Sequence, residues 1–187
     1  MSGLDNHNLK KLTSYVSTYL GALRSLRADL NGVETRYLEA GKGETIVFLH
    51  ALGASKTHWC RLMRALSDQY HVVSVDTPGL CLADKLPENR HTFRHLSDWL
   101  DSFLDHLNIE KTHLFGHSSG AALAAYFAGG RAGRVQSLSM VGISGLANSE
   151  SVGSVYNLTD LKLRTVEDVD RMIQLLFYKK PELNSVL

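Results

Sequence analysis

The sequence predicts an α/β fold built on a mostly parallel, doubly wound sheet. Four apolar runs that end in polar residues or glycine are typical of buried strands, and they lie at residues 45–49, 72–75, 112–115 and 135–143. Segments with apolar residues three and four apart separate these runs, which is the spacing of amphipathic helices. Because strand and helix alternate, we expect parallel strands joined by crossover connections.

Residues 1–24 are predicted to form an N-terminal amphipathic helix. Its apolar side chains fall on one stripe, at Leu9, Leu12, Val16, Tyr19, Leu20 and Leu23. We favour a helix that packs on its own domain or on a second subunit, because its basic face is sparse. The alternative is a weak peripheral contact with a membrane through residues 9–24.

The core of the fold is predicted at residues 25–147 and begins with a β-hairpin. Asn31-Gly32 stands between two runs of alternating polarity, which indicates a tight turn between antiparallel strands. Three helical segments are expected further along the core, at residues 58–66, 93–107 and 121–127. Beyond residue 147 the pattern loosens until helical spacing returns at residues 166–177.

The composition is that of one globular domain. Of the 187 residues 44% are hydrophobic and 21% charged, and the net charge of +1 gives no field that would attract nucleic acid. The start is polar and no stretch reaches the roughly 18 apolar residues of a membrane span, so we expect a cytoplasmic protein. Cys60 and Cys81 lack disulfide or metal spacing, and no metal or organic cofactor has a motif.

The segment Gly116-His117-Ser118-Ser119-Gly120 has the pattern of a nucleophile elbow. A predicted strand runs into it and an alanine-rich helix follows, which is the context that makes a GxSxG match specific. The backbone of the serine is strained in such a turn, and the two glycines, Gly116 and Gly120, let neighbouring backbone pass. We therefore predict that Ser118 is a nucleophile at the carboxyl edge of the sheet. The alternative is a glycine-bracketed turn with a solvent-facing serine, which the flanking strand and helix disfavour.

A second motif, His50-Ala51-Leu52-Gly53, follows the predicted strand at residues 45–49, where an oxyanion loop would lie. Acyl transfer needs two backbone N–H groups aimed at the developing oxyanion, and this loop can supply one beside the N–H of Ser119. We interpret His50 as a structural residue that hydrogen-bonds the loop, with Gly53 as a further support, rather than as a catalytic group.

From about residue 32 to residue 145 the chain resembles the α/β-hydrolase superfamily, and in particular its bacterial esterases and lipases related to monoacylglycerol lipases. Besides the elbow and the loop, the resemblance rests on Tyr37-Leu38-Glu39-Ala40-Gly41 and Asp76-Thr77-Pro78-Gly79. The chain departs from the family at Ala51, where a glycine is usual, and at Leu80-Cys81, where an aromatic residue and a glycine are usual.

The resemblance implies a role for several residues. Ser118 would be the nucleophile, and Leu52 and Ser119 would supply the oxyanion N–H groups. Asp76 would be structural and not the acid of a triad. Residues 148–187 would form part of a helical lid or cap.

The general base expected of this family is missing from the chain. In the family an acid and then a histidine follow the serine. All nine histidines precede Ser118 in this sequence: His7, His50, His58, His71, His91, His95, His106, His113 and His117. His117 is disfavoured as a substitute because neighbours at an elbow project in different directions. We therefore assign no triad acid or histidine, and expect an incomplete, truncated fold with about strands 1–6 and part of the lid.

Three functions remain open at this point. The first is a serine hydrolase of small-molecule or lipid carboxylic esters that forms an acyl-enzyme on Ser118, although an unassisted serine is a poor nucleophile and this chain alone is expected to be inactive. The second is a C–C bond hydrolase or a perhydrolase on the same fold. The third is an inactive short form that binds a ligand or dimerises, since an incomplete sheet exposes an edge that invites an oligomer.

Overall fold

The computed structural model describes residues 21–80 and 92–144, which form a six-stranded sheet with helices on both faces. The strands are β1 Arg24–Leu30, β2 Val33–Ala40, β3 Thr45–Leu49, β4 His71–Val75, β5 Thr112–His117 and β6 Val135–Val141. The α-helices are α1 Cys60–Leu66, α2 Phe93–His106 and α3 Ser119–Gly130. Short 3₁₀ turns at Lys56–Trp59 and Ala132–Arg134 precede α1 and β6.

The order of the strands across the sheet is β1-β2-β4-β3-β5-β6. The pairs β1–β2 and β2–β4 are antiparallel, while β3–β4, β3–β5 and β5–β6 are parallel. This arrangement confirms the predicted α/β fold with a mostly parallel sheet. It also brings the carboxyl ends of β3, β4, β5 and β6 to one edge, where open α/β sheets bind their ligands.

The hairpin between β1 and β2 has the predicted two-residue turn. Asn31 and Gly32 have φ values of 56° and 83°, as a type I′ turn requires. The N–H of Gly32 also donates to the Asp29 carboxylate at 2.8 Å. Val33 therefore follows directly as the first residue of β2, and Leu30 pairs with it.

Two apolar clusters cover the two faces of the sheet, because successive side chains of a strand point to opposite sides. On β3 the buried Val47 and Leu49 join one cluster and the buried Phe48 joins the other. The first cluster packs against α2 and α3 through six fully buried side chains, which are Leu100, Phe103, Leu104, Leu123, Ala124 and Phe127. The second packs against the start of α1, through Trp59, Cys60 and Met63.

Several predicted boundaries were wrong at the ends of elements, and three of them have a clear cause. Arg24 belongs to β1 and not to the N-terminal helix. The predicted helix at residues 58–66 begins earlier, as a 3₁₀ turn at Lys56, because the hydroxyl of Ser55 accepts the N–H of Thr57. The predicted strand at residues 135–143 ends at Val141, because the chain turns at Gly142 with a φ of 53°.

Of the predicted N-terminal helix, residues 21–23 form a turn and an irregular segment instead. Residues 1–20 and the predicted lid at residues 148–187 lie outside the described residues. Contacts divide the chain into two units, residues 1–145 and 146–187, and all described residues belong to the first. In the described part β6 is an outermost strand, and its Met140 and Val141 side chains are 45% and 48% exposed. No helix within residues 21–80 and 92–144 has the length and apolarity that crossing a membrane requires.

Candidate active site

Ser118 lies in a strained turn between β5 and α3. Its φ of 53° and ψ of −117° are an unusual conformation for a residue other than glycine, and holding it costs about 1–3 kcal/mol. Three backbone bonds oppose this cost. The N–H of Ser118 donates to the carbonyl of Val141 at 2.9 Å, and its own carbonyl accepts the N–H of Ala122 at 3.1 Å and that of Ser144 at 3.4 Å. The turn is therefore held both by β6 and by the first turn of α3.

The two glycines of the elbow stand where no side chain fits. A Cβ on Gly116 would lie 2.6 Å from the carbonyl oxygen of Gly120 and 2.5 Å from the Cα of Ala121. A Cβ on Gly120 would lie 2.6 Å from the carbonyl oxygen of His50, and it would also collide with that of Leu49. Since these obstacles are backbone atoms, they cannot rotate away as a flexible side chain could. The close packing places the N-terminus of α3 directly against the end of β3.

The loop that follows β3 lies beside the elbow. Leu49, the last residue of β3, pairs with Gly116 of β5, so the chain enters this loop next to the serine turn. The N–H of Gly53 donates to the carbonyl of Leu80 at 2.8 Å, which ties the loop to the segment after β4. The side chain of Leu52 is 54% exposed. Within residues 21–80 and 92–144 the backbone N–H groups of Leu52 and Ser119 donate no hydrogen bond.

Backbone N–H groups of this kind are the donors that an oxyanion site requires. The N–H groups in the first turn of a helix lack partners inside the helix and carry partial positive charge, and the N–H of Ser119 is the first of α3. An N–H that is not used by the fold remains available to a developing negative charge. The sequence-predicted residues Ser118, Ser119, Gly116, Gly120, His50, Leu52 and Gly53 all lie at this edge of the sheet.

His50 is fully buried and joins two loops. The N–H of Thr77 donates to Nε2 at 3.0 Å, so the proton of the neutral ring is assigned to Nδ1, which donates to the carbonyl of Ala51 at 2.8 Å. Burial lowers the pKa of His50, and this effect outweighs the hydrogen bond to Ala51 and the charge of Asp76, both of which favour the protonated ring. The neutral tautomer thus links the loop after β3 to the segment after β4.

We expect this tautomer to make the stability of the fold depend on pH. Because burial lowers the pKa of His50 below its ordinary 6.5, the unfolded chain binds a proton more readily than the folded chain as the pH falls. The free energy of unfolding should therefore be highest above about pH 6.5 and fall below it, by up to about 1.4 kcal/mol per pH unit for this group. Urea unfolding between about pH 5 and pH 8 measures the effect.

A His50→Gln variant, which keeps an acceptor for Thr77, should show a shallower dependence. His106→Gln, which changes an exposed histidine at the end of α2, should keep the full slope. Partial burial also lowers the pKa of His58, which adds a contribution of the same sign to the pH dependence of stability. A slope that is unchanged in His50→Gln would contradict the assignment to this ring.

Asp76, at the end of β4, is engaged by the fold. Its carboxylate accepts the backbone N–H and the ammonium group of Lys56, each at 2.6 Å. The side chains of Lys56 and Asp76 are only 16% and 7% exposed, so this is a largely buried ion pair. The geometry gives Asp76 a structural role.

The structure also brings together two histidines that were not predicted to meet. The rings of His58 and His117 stack with their centroids 5.3 Å apart and an angle of 12° between them, and Trp59 contacts both edge-on. Within the described residues no hydrogen bond joins either ring to Ser118. The sequence placed His58 at the predicted start of a helix after the loop, which was the only sign that it lies near the site. That sign does not reveal a stacking partner 59 positions along the sequence.

No group of three or more His, Cys, Asp or Glu side chains in the described residues is arranged to hold a metal ion. Within residues 21–80 and 92–144 the arrangement offers a serine hydroxyl, backbone N–H groups of Ser119 and Leu52 that donate no hydrogen bond, and a buried neutral histidine that shapes the loop. A hydroxyl beside such donors is the set of groups that acyl transfer uses.

Comparison with known proteins gives consistent results. Residues 44–185 match the family model described as alpha/beta hydrolase fold. The chain is 30% identical over 151 residues to the dihydrolipoyllysine-residue acetyltransferase component of the acetoin cleaving system of Cupriavidus necator, covering 80% of this chain and 40% of that protein. It is 31% identical over 145 residues to 2-hydroxy-6-oxo-6-(2'-aminophenyl)hexa-2,4-dienoic acid hydrolase of Metapseudomonas resinovorans, covering 73% and 46%. The chain thus spans less than half the length of these relatives.

A solved structure of similar fold is that of a membrane phospholipase A, a bacterial virulence factor. The two superpose with a TM-score of 0.80 at 26% identity, over 94% of this chain and 59% of that chain. This chain therefore corresponds to a part of the longer chain in that structure.

Proposed function

Because the chain belongs to the α/β-hydrolase fold family, we propose that its protein is a serine hydrolase of carboxylic esters that forms an acyl-enzyme on Ser118. The observation that carries the proposal is the backbone of Ser118, whose φ of 53° is strained. Strain of this kind persists only where the surroundings enforce it, and it is concentrated at functional sites. A serine nucleophile also disfavours epoxide hydrolysis, which needs a carboxylate to form an alkyl-ester intermediate.

In the proposed reaction the Oγ of Ser118 attacks the carbonyl carbon of the ester, and its proton passes to a general base. The carbonyl oxygen becomes an oxyanion that the N–H groups of Leu52 and Ser119 stabilise. Collapse of this intermediate expels the alcohol, which takes the proton from the base, and leaves an acyl group on Ser118. Water then repeats the sequence and releases the acid. Because this chain spans less than half the length of its relatives, the proposal concerns the complete gene product.

A lipid ester is the substrate class that we favour. The similarity to a membrane phospholipase A supports an acyl ester of a lipid, since that is the bond such an enzyme cleaves. The 54% exposed side chain of Leu52, in the loop beside Ser118, supports an apolar acyl group near the nucleophile.

A C–C bond hydrolase is the second candidate, and the similarity to the dienoic acid hydrolase of Metapseudomonas resinovorans supports it. The elbow would be the same in both enzymes, so only the substrate distinguishes them. We expect the complete gene product to hydrolyse p-nitrophenyl esters with a kcat/KM at least about tenfold above that for a 2-hydroxy-6-oxo-dienoate, a difference of about 1.4 kcal/mol in barrier. Parallel steady-state kinetics test this. The reverse preference would replace the ester proposal with the second candidate.

A further inference from the structure

The loop that follows β3 is fastened to the end of β4 through Lys56. The backbone N–H of Lys56 donates to one oxygen of the Asp76 carboxylate and its ammonium group donates to the other, each at 2.6 Å. The carbonyl of Lys56 accepts the hydroxyl of Ser74 at 2.9 Å. The backbone N–H, the carbonyl and the side chain of this one residue are thus all bound to the last residues of β4 and the position that follows.

Two further contacts cross from the same loop to the same segment. The His50 ring accepts the N–H of Thr77 at 3.0 Å, and the N–H of Gly53 donates to the carbonyl of Leu80 at 2.8 Å. Leu52 lies between these two anchors. Lys56 closes the loop on its far side, where the chain enters the 3₁₀ turn Lys56–Trp59.

Burial makes the ion pair between Lys56 and Asp76 costly to break. Since the side chains of Lys56 and Asp76 are largely removed from water, neither can replace its partner by solvent without a cost in free energy. A buried pair of this kind adds little net stability compared with apolar side chains of similar size, but removal of one partner leaves an uncompensated charge. The geometry that the pair fixes is therefore a better explanation for its presence than the stability that it adds.

We propose that Lys56 is a positioning residue for the oxyanion loop, which it holds against β4 so that the N–H of Leu52 stays aimed at the carbonyl oxygen of the substrate. This inference rests on the proposed acyl-enzyme function and deepens it. Lys56 acts through the loop and contacts no substrate. Because an oxyanion exists only in the transition state and the intermediate, loss of the anchor should reduce kcat while KM changes little.

The test compares the complete gene product with its Lys56→Met, Lys56→Met/Asp76→Asn and Lys56→Arg variants. The double variant removes the pair without leaving a buried charge, so it remains informative if Lys56→Met does not fold. Lys42→Met, which changes an exposed lysine before β3, is the matched control. Two readouts are taken: steady-state kinetics with a p-nitrophenyl ester, and amide hydrogen exchange of peptides that cover residues 50–56.

We expect kcat of the double variant to fall about 10- to 100-fold, the cost of displacing a catalytic group by about 1 Å, with KM within about threefold. Lys56→Arg should recover most of the loss because it restores a cation, and Lys42→Met should match the wild type. Exchange of the loop amides should rise about tenfold in the double variant, since the loop loses an anchor.

Two results would overturn the proposal. One is unchanged exchange of residues 50–56 in the double variant, which shows that Lys56 does not hold the loop whatever the protein catalyses. The other is faster exchange with an unchanged kcat, which shows that the loop does not need this anchor. If the wild type hydrolyses no ester, the proposed function is wrong, and so is the role of Lys56 as a positioning residue for ester hydrolysis. The exchange experiment does not depend on that result, and it still decides whether Lys56 anchors the loop.

Discussion

A Ser118→Ala variant of the complete gene product is expected to lose about 10⁴- to 10⁶-fold in kcat/KM toward carboxylic esters, the size of loss that follows removal of a serine nucleophile. It should also fail to form a covalent adduct with a fluorophosphonate, whereas the wild type forms one that peptide mass mapping places on Ser118. The reason is that alanine leaves the oxyanion N–H groups in place but removes the atom that forms the acyl-enzyme. Ester kinetics and intact mass after labelling measure the two effects.

The matched control for this change is Ser25→Ala, which removes a hydroxyl from an exposed position of β1. It should keep the kinetics and the adduct of the wild type. Ser118→Ala should unfold at the same denaturant concentration as the wild type, because the strained turn is held by backbone bonds that alanine also makes. An adduct of equal yield in Ser118→Ala would exclude Ser118 as the nucleophile.

Gly120→Ala is expected to disrupt the elbow itself. Its Cβ would lie 2.6 Å from the carbonyl oxygen of His50 and would collide with that of Leu49 as well. Because α3 and β3 must separate to admit a methyl group, we expect a destabilisation of about 3 kcal/mol, at the upper end of the usual cost of overpacking. For a chain of this size that corresponds to a fall of roughly 6–12 °C in Tm. Thermal unfolding followed by circular dichroism measures it.

The control for this effect is another glycine of the same helix. A Cβ on Gly129 would meet nothing within 4 Å, so Gly129→Ala should leave the fold unchanged or stabilise it by about 0.5–1 kcal/mol through its higher helix propensity. If Gly120→Ala and Gly129→Ala unfold at the same temperature, the contact between α3 and β3 is looser than described.

The sequence predicted the elements of the fold well where the pattern is local and repeated. The bounds of β3 were predicted correctly, and the hairpin at Asn31-Gly32 was confirmed, because alternation and turn chemistry are properties of neighbouring residues. The start of the helix after β3 was predicted too late because, besides the local cap of Ser55, it depends on a carboxylate 20 positions away, where Asp76 accepts the N–H of Lys56. Tertiary contacts of this kind leave no trace in local periodicity.

In the candidate site, too, local features could be predicted from the sequence and contacts between distant residues could not. The GxSxG segment could be read directly, since its strand, turn and helix are consecutive in the chain. The partner of His50 could not, because Thr77 lies 27 positions away and donates through its backbone, which carries no sequence signal. The stacking of His58 on His117 escaped prediction for a related reason, since it depends on how the loop after β3 folds over the end of β5.

The contact of Gly120 with the carbonyls of Leu49 and His50 bears on how the substrate range of such a protein can be altered. With no room for even a methyl group at Gly120, the elbow at Ser118 and the chain at Leu49 and His50 pack as one block. A mutagenesis library aimed at new substrates should therefore leave this block intact. Leu52 and His58, whose side chains are exposed beside it, are the positions where variation changes the surface that a substrate meets without moving the serine.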